Sequence, residues 1–162
     1  FNSHEVYCDS CCEKNHRDGN KTYYHQMLSA VLARPGLKEV LPLRSEAIKK
    51  SDGKKKNDCE LSAARRLLTD IRKKHHRLNL IVVGDALYAN GPNIKLLNEL
   101  KMKYILNVKP SSHKFLFDWV ESSSMTSKTI EENGTTHKFK FVNGVPLNDK
   151  HFETEVIYVY HI

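Results

Sequence analysis

Four consecutive apolar residues, Leu80-Ile81-Val82-Val83, run straight into Gly84-Asp85 and then into Ala86-Leu87-Tyr88-Ala89-Asn90-Gly91-Pro92. A run this short, without polar alternation and bounded by Asn79 and Gly84, predicts a strand covered on both faces, as in a parallel or mixed α/β sheet. Pro92 suits the first turn of a following helix, with Ile94, Leu97 and Leu100 at helical spacing. Tyr104-Ile105-Leu106-Asn107-Val108 then predicts a second strand that closes at Lys109-Pro110. Strand, helix, strand is the rhythm of a parallel βαβ unit. Ligand sites in open α/β sheets gather outside the carboxyl ends of the strands, and Asp85 lies at such an end, where a carboxylate can hold a hard cation. The plainer reading is that Gly84-Asp85 starts a turn, because Asp bonds readily to its own backbone.

The remainder of the chain organises around that unit. Its 162 residues suffice for one ordinary core, so one domain is expected, or one domain with a small insert. Residues 23 to 33 fit either a strand or a helical stripe of Tyr24, Met27, Leu28, Val31 and Leu32. Arg34-Pro35-Gly36 signals a turn, and Lys38 to Leu43 reads as a short strand ended by the Pro42 region. Lys49 to Asn57 is a polar loop, after which Asn57-Asp58-Cys59-Glu60 opens a helix with a capping-box pattern. That helix runs to about Lys74, with Leu61, Ala64, Leu67, Leu68 and Ile71 as its apolar stripe and Arg65, Arg66 and Arg72 toward its flanks and outer face. Phe115, Leu116, Trp119 and Val120 share helical spacing within His113 to Glu121, which makes Trp119 a core residue. Beyond Ser122 the composition shifts to alternating segments, Thr129 to Glu132, His137 to Val142 and Glu155 to Tyr160. These are broken by Asn133-Gly134 and Asn143-Gly144, both hairpin signals. Residues 122–162 are therefore expected to form a small antiparallel β region after an α/β portion spanning 1–121.

Charge narrows the partners. Lys and Arg exceed Asp and Glu by 26 to 19, for a net +7, and the excess is clustered. One cluster holds Lys49, Lys50, Lys54, Lys55 and Lys56; the other holds Arg72, Lys73, Lys74 and Arg77 beside His75 and His76. Clustered cations of this kind neutralise phosphates and release counterions, although such runs also serve simply as solvated faces. No run of about 18 apolar residues exists, and Phe1-Asn2-Ser3-His4-Glu5 lacks a signal-peptide pattern, so a soluble, cytoplasmic protein with no membrane association is expected. The chain begins without Met and stops inside the apolar run Val156-Ile157-Tyr158-Val159-Tyr160, which reads as a segment of something longer.

Four stretches together carry a resemblance. They are Tyr23-Tyr24-His25-Gln26; Lys56-Asn57-Asp58-Cys59-Glu60 with Ala63-Ala64-Arg65-Arg66-Leu67; Val83-Gly84-Asp85-Ala86-Leu87-Tyr88-Ala89; and Tyr104-Ile105-Leu106-Asn107-Val108-Lys109-Pro110. The succession resembles bacterial insertion-sequence DDE transposases of the insertion-sequence-four type, over nearly the whole chain. The resemblance implies a ribonuclease-H-like mixed sheet flanked by helices, interrupted by a β-rich insertion before the last catalytic residue. It favours the strand reading of residues 23 to 33 and makes 122–162 the insertion, incomplete here. In that family three carboxylates hold two Mg²⁺ ions for cleavage and strand transfer, and Asp85 matches the second of them. The first acid would precede Phe1. The Glu and its motif are not found in residues 120 to 162, so this segment alone is expected to be inactive. The implied partner is double-stranded DNA, as transposon ends and target, bound by a homo-oligomer of the full-length protein.

Other candidates carry plainer alternatives. Glu60 matches, loosely, a helix position that ligates metal in ribonuclease H, but a Glu at the third helical position also caps a backbone donor. Asp58 is stabilised at a helix start by the macrodipole alone. Cys8 and Cys11 have Cys-x2-Cys spacing, with Cys12, His16 and His25 following, which raises zinc. The interval from Cys11 to His25 fits no standard zinc module. Lys109 and His113 follow a strand end on the same rim as Asp85 and are placed to reach phosphates or to sit in a solvated loop. Glu99 and Lys101 fall at a helix end, unlike the strand-borne pair of a restriction-type nuclease, and there is no glycine-rich nucleotide motif. Two rivals to the enzyme remain: a non-catalytic DNA-binding protein derived from a decayed transposase, and a zinc-dependent interaction module built on Cys8 and Cys11.

Overall fold

The computed structural model describes residues 2–52, 56–150 and 155–161. The chain is mixed α/β and divides into two compact units, Phe1–Leu80 and Ile81–Ile162. That division falls forty residues before the composition shift at 122, because the strands beyond it share a core with the helices that precede it.

The first unit begins with a small antiparallel sheet of β1 (Asn2–Ser3), β2 (Cys12–Asn15) and β3 (Lys21–Tyr24), ordered β1-β3-β2. Cys12 stands opposite Tyr24 in the β2–β3 pairing. After His25, β4 (Gln26–Ala33) pairs antiparallel with β5 (Val40–Ile48), so residues 23 to 33 take the extended alternative. The Arg34-Pro35-Gly36 turn closes through Leu37 N–H donating to Arg34 O at 3.1 Å, with Gly36 at φ 83°. β5 does not end near Pro42. It runs through it, because a register shift between Ala30 and Val31 sits opposite Pro42, and a bulge tolerates a residue without an N–H.

A single 3₁₀ turn, Lys50–Asp52, and then α1 (Lys56–Lys74) complete this unit. The helix lays Cys59 and Ala63 against Ile48 of β5 and Leu28 of β4. Ala64, Leu67 and Ile71 of the predicted stripe are buried too. The capping pattern on Asn57-Asp58 lies outside the described side chains.

In the second unit β6 (Ile81–Gly84) pairs in parallel with β7 (Lys103–Leu106) across α2 (Gly91–Glu99), the expected βαβ unit. The Asn90 side chain accepts from Asn93 N–H at 2.9 Å and starts α2. The strand is not covered on both faces: Ile81 is 56% and Val83 75% exposed, with Ile105 of β7 beside them at 63%. Helix α2 covers one face of the pair, where Ile94 meets Tyr104 and Leu106, and the other face is open.

α3 (Lys114–Glu121) follows, and then β8 (Thr126–Glu132), β9 (Thr135–Pro146) and β10 (Glu155–His161) form an antiparallel sheet ordered β10-β9-β8. Asn133-Gly134 makes the predicted hairpin, with both residues at positive φ, 51° and 76°. Asn143-Gly144 does not. It lies inside β9, where the register against β10 shifts between Val156 and Tyr158 and Gly144 takes φ 67°, so the pair forms a bulge. Ile94, Leu116, Val120, Val145 and Leu147 are the buried centre of this unit, with Trp119 packed against them as predicted.

Candidate functional site

The segment after β6 is shaped by close packing. A Cβ on Gly84 would stand 3.1 Å from Leu106 Cδ2 and 3.2 Å from Tyr88 Cδ2, so glycine lets the chain turn tightly back on itself. Asp85 Oδ1 accepts from Leu87 N–H at 3.0 Å, and Tyr88 N–H donates to Asp85 O at 3.1 Å. The turn-starting role is therefore real. It uses one oxygen of an exposed carboxylate that has capacity for further donors or a cation.

Strand periodicity puts Asp85 on the same open face as Ile81 and Val83. Asn107 N–H donates to Gly84 O at 3.0 Å, extending the ladder and setting exposed Asn107 across from Asp85. Lys109, two residues on, is also exposed. His113 departs from its expected place on this rim. It is buried, its Nε2 is 2.7 Å from Ala89 O and its Nδ1 2.8 Å from Ser112 Oγ, so it ties α3 to the loop before α2.

An open apolar trough of about 920 Å³ along β7 and β10 includes Lys101, Lys103, Tyr104 and Tyr158 but no carboxylate, and Asp85 does not line it. Burial pushes both tyrosine hydroxyls upward in pKa.

Among the described residues one group of three ligating side chains converges, and it is not acidic. Cys8, Cys11 and His25 bring their donor atoms within 4.8 Å of one another. The turn Cys8 to Cys11, closed by Cys11 N–H donating to Cys8 O at 3.0 Å, sets the sulfurs 3.4 Å apart. His25 occupies the break between β3 and β4, one step beyond the Cys12–Tyr24 pair, which puts it across from Cys11. Its Nε2 lies 3.7 Å from Cys8 Sγ and 3.5 Å from Cys11 Sγ. The Cys8 N–H, donating to Cys11 Sγ at 3.2 Å, works to lower that thiol's pKa. Desolvation, the Cys8 sulfur and the Glu13 charge outweigh it and push the thiol up. His16 is turned elsewhere, its Nε2 2.5 Å from Thr22 Oγ1, and Cys12 Sγ meets Ile48 O at 3.7 Å.

The predicted phosphate-binding cations fall into different situations. Lys54 and Lys55 lie outside the described residues, and Lys56 opens α1. Arg72 NH1 donates to the carbonyl of Leu78 at 3.0 Å and to those of His75 and His76 at 3.4 Å, closing the chain after α1. Lys74 pairs with Asp70 at 3.4 Å, while Lys73 and Arg77 are exposed. Lys50, from the first cluster, pairs with Glu13 at 2.5 Å. Glu60 is half-buried in the first turns of α1 and belongs to the first unit, whereas Asp85 belongs to the second.

Arg66, expected toward the flanks and outer face of its helix, is half-buried and is the hub of the first unit. Its NH1 and NH2 grip both Asp52 oxygens at 2.9 Å, its Nε meets Glu46 Oε1 at 2.8 Å and its NH2 donates to Ala47 O at 3.0 Å. The Arg66 guanidinium holds the Asp52 carboxyl below the usual carboxylate range, and the Arg66 pKa is raised in return. No family model, curated protein or solved structure matches the chain.

Proposed function

We propose that the chain is part of the catalytic core of a DDE transposase that cuts and joins DNA with Mg²⁺, and that Asp85 is one of the carboxylates holding the metal. The observation that carries this reading is the position of Asp85: exposed, at the carboxyl end of β6 in a parallel βαβ unit, with Asn107 opposite it. The four sequence stretches that resemble the family include both strand ends of this unit. In this reading residues 1–121 belong to a ribonuclease-H-like core and 122–162 to its β insertion.

A lone carboxylate fits Mg²⁺ in part, since that ion is bound by one or two carboxylates and keeps several waters. Two such ions activate the attacking oxygen and stabilise the leaving one in phosphodiester transfer. Asp85 would anchor them from the strand end, and the remaining acids would come from segments beyond these 162 residues. Of the cations expected to meet DNA phosphates, Lys73, Arg77 and Lys109 are exposed. Double-stranded transposon ends and target are the proposed partners of a homo-oligomer.

The test is Asp85→Ala in the full-length protein. Strand transfer should fall at least ~10³-fold, the consequence of losing several kcal/mol of metal-borne stabilisation, with DNA binding retained. Retained transfer removes Asp85 from the chemistry. DNA binding without any transfer by the unaltered protein favours the rival, a non-catalytic DNA-binding protein derived from a decayed transposase.

A further inference from the structure

Two thiols and an imidazole nitrogen that meet without a covalent link have three ordinary explanations: a hydrogen-bonded cluster, a disulfide in its reduced state, or the ligands of a soft cation. The distances fit the third as well as the first, and the convergence of all three donors favours the third. Zinc bonds of about 2.3 Å to sulfur and 2.0–2.1 Å to nitrogen, at tetrahedral angles, set sulfurs ~3.8 Å apart and each sulfur ~3.6 Å from the nitrogen. The observed separations are 3.4 Å between sulfurs and 3.7 and 3.5 Å from sulfur to nitrogen.

We propose that Cys8, Cys11 and His25 bind one zinc ion, which fastens the loop before β2 to the junction of β3 and β4. The site is assembled by two independent devices, a four-residue turn that pairs the sulfurs and an antiparallel register that delivers the imidazole. Chance proximity of one pair would not recruit the third donor.

The role follows from what surrounds it. Residues 4–11 form no strand, and Val6 and Tyr7 are 77% and 66% exposed. What else holds this loop is light and exposed: His4 Nδ1 lies 3.2 Å from Lys21 O, the Glu5 and Val6 N–H groups donate to Ser3 Oγ at 3.3 and 2.8 Å, and the Tyr7 ring stacks on Tyr23 at 4.8 Å. A cation bound by both thiolates supplies the constraint that burial does not. The three ligands leave a fourth tetrahedral position, taken by water or an incoming group. The site is independent of Asp85, so its fate does not decide that reading.

Metal analysis of the intact chain, purified under reducing conditions, should find one zinc per chain. Replacement by Co²⁺ should give the visible bands of a tetrahedral ion and a thiolate charge-transfer band. Cys8 and His25 are exposed, so Cys8→Ser and His25→Gln can be made without opening the core. Each should lose the zinc and speed amide exchange in residues 4–25, while Cys12→Ser keeps it. Zinc below about one-fifth of an equivalent, full retention in Cys8→Ser, or a Cys8–Cys11 disulfide that forms in preference to metal binding would each overturn the proposal.

Discussion

Residues 1–80 and 81–162 are held together by different chemistry. In the first unit the buried side chains mix small residues, Ala63, Ala64 and Cys59, with Ile48, Leu67 and Ile71, and among the described residues five ion-pair contacts join its elements. Arg66 links α1 both to the Lys50–Asp52 turn and to β5. In the second unit Leu116, Leu147, Ile94 and Val145 meet in an apolar centre, and the polar bonds described above are mostly local: the Asn90 cap, the Asp85 turn and the tie from His113 to Ala89. The difference teaches where each unit is vulnerable. Charge state and metal should govern the first, and side-chain volume the second.

The contrast is broken most forcefully by truncating the second core. Leu116, 1% exposed, loses its contacts with Val145 and Leu147 in Leu116→Ala, and this should cost about 3 kcal/mol of stability. Amide exchange should rise in α2, α3 and β9 and stay unchanged in α1. Equal acceleration in α1 would mean that the two units unfold as one.

A smaller effect sharpens the other side. Arg66→Ala should cost about 1–2 kcal/mol, discounted because the guanidinium is 38% exposed, and should loosen α1 and β5 selectively. Acid should do the same. The Asp52 carboxyl is held low in the folded chain, so the unfolded chain binds its proton first. The contribution is therefore complete above about pH 4 and is lost as pH falls through the depressed folded value. Denaturant titrations of the wild type should show that acid-dependent loss, and Arg66→Ala should show less of it.

The parts legible from the sequence are those decided within a few residues. Pro92 and the spacing of Ile94 and Leu97 gave α2, the flanking apolar runs gave β6 and β7, and Asn133-Gly134 gave a hairpin. Asn143-Gly144 misled for the same reason. The dipeptide tolerates positive φ equally in a turn and in a bulge, and only the register against β10 decides which. The open face of β6 was illegible because an apolar run does not reveal how many neighbouring elements cover it. The Cys8–Cys11–His25 cluster was half visible: spacing suggested the thiols, but the Cys12–Tyr24 register, a long-range fact, brings in the imidazole. The role of Arg66 was not legible because its partners, Glu46 and Asp52, come from another strand and turn.

The account rests most heavily on Asp85 as a metal ligand, and metal-specificity exchange tests that most directly. Asp85→Cys in the full-length protein replaces a hard oxygen donor with a thiolate that prefers softer ions than Mg²⁺. Strand transfer by this variant should be lost in Mg²⁺ and partly restored in Mn²⁺. Equal activity of variant and wild type in Mg²⁺ would contradict the account.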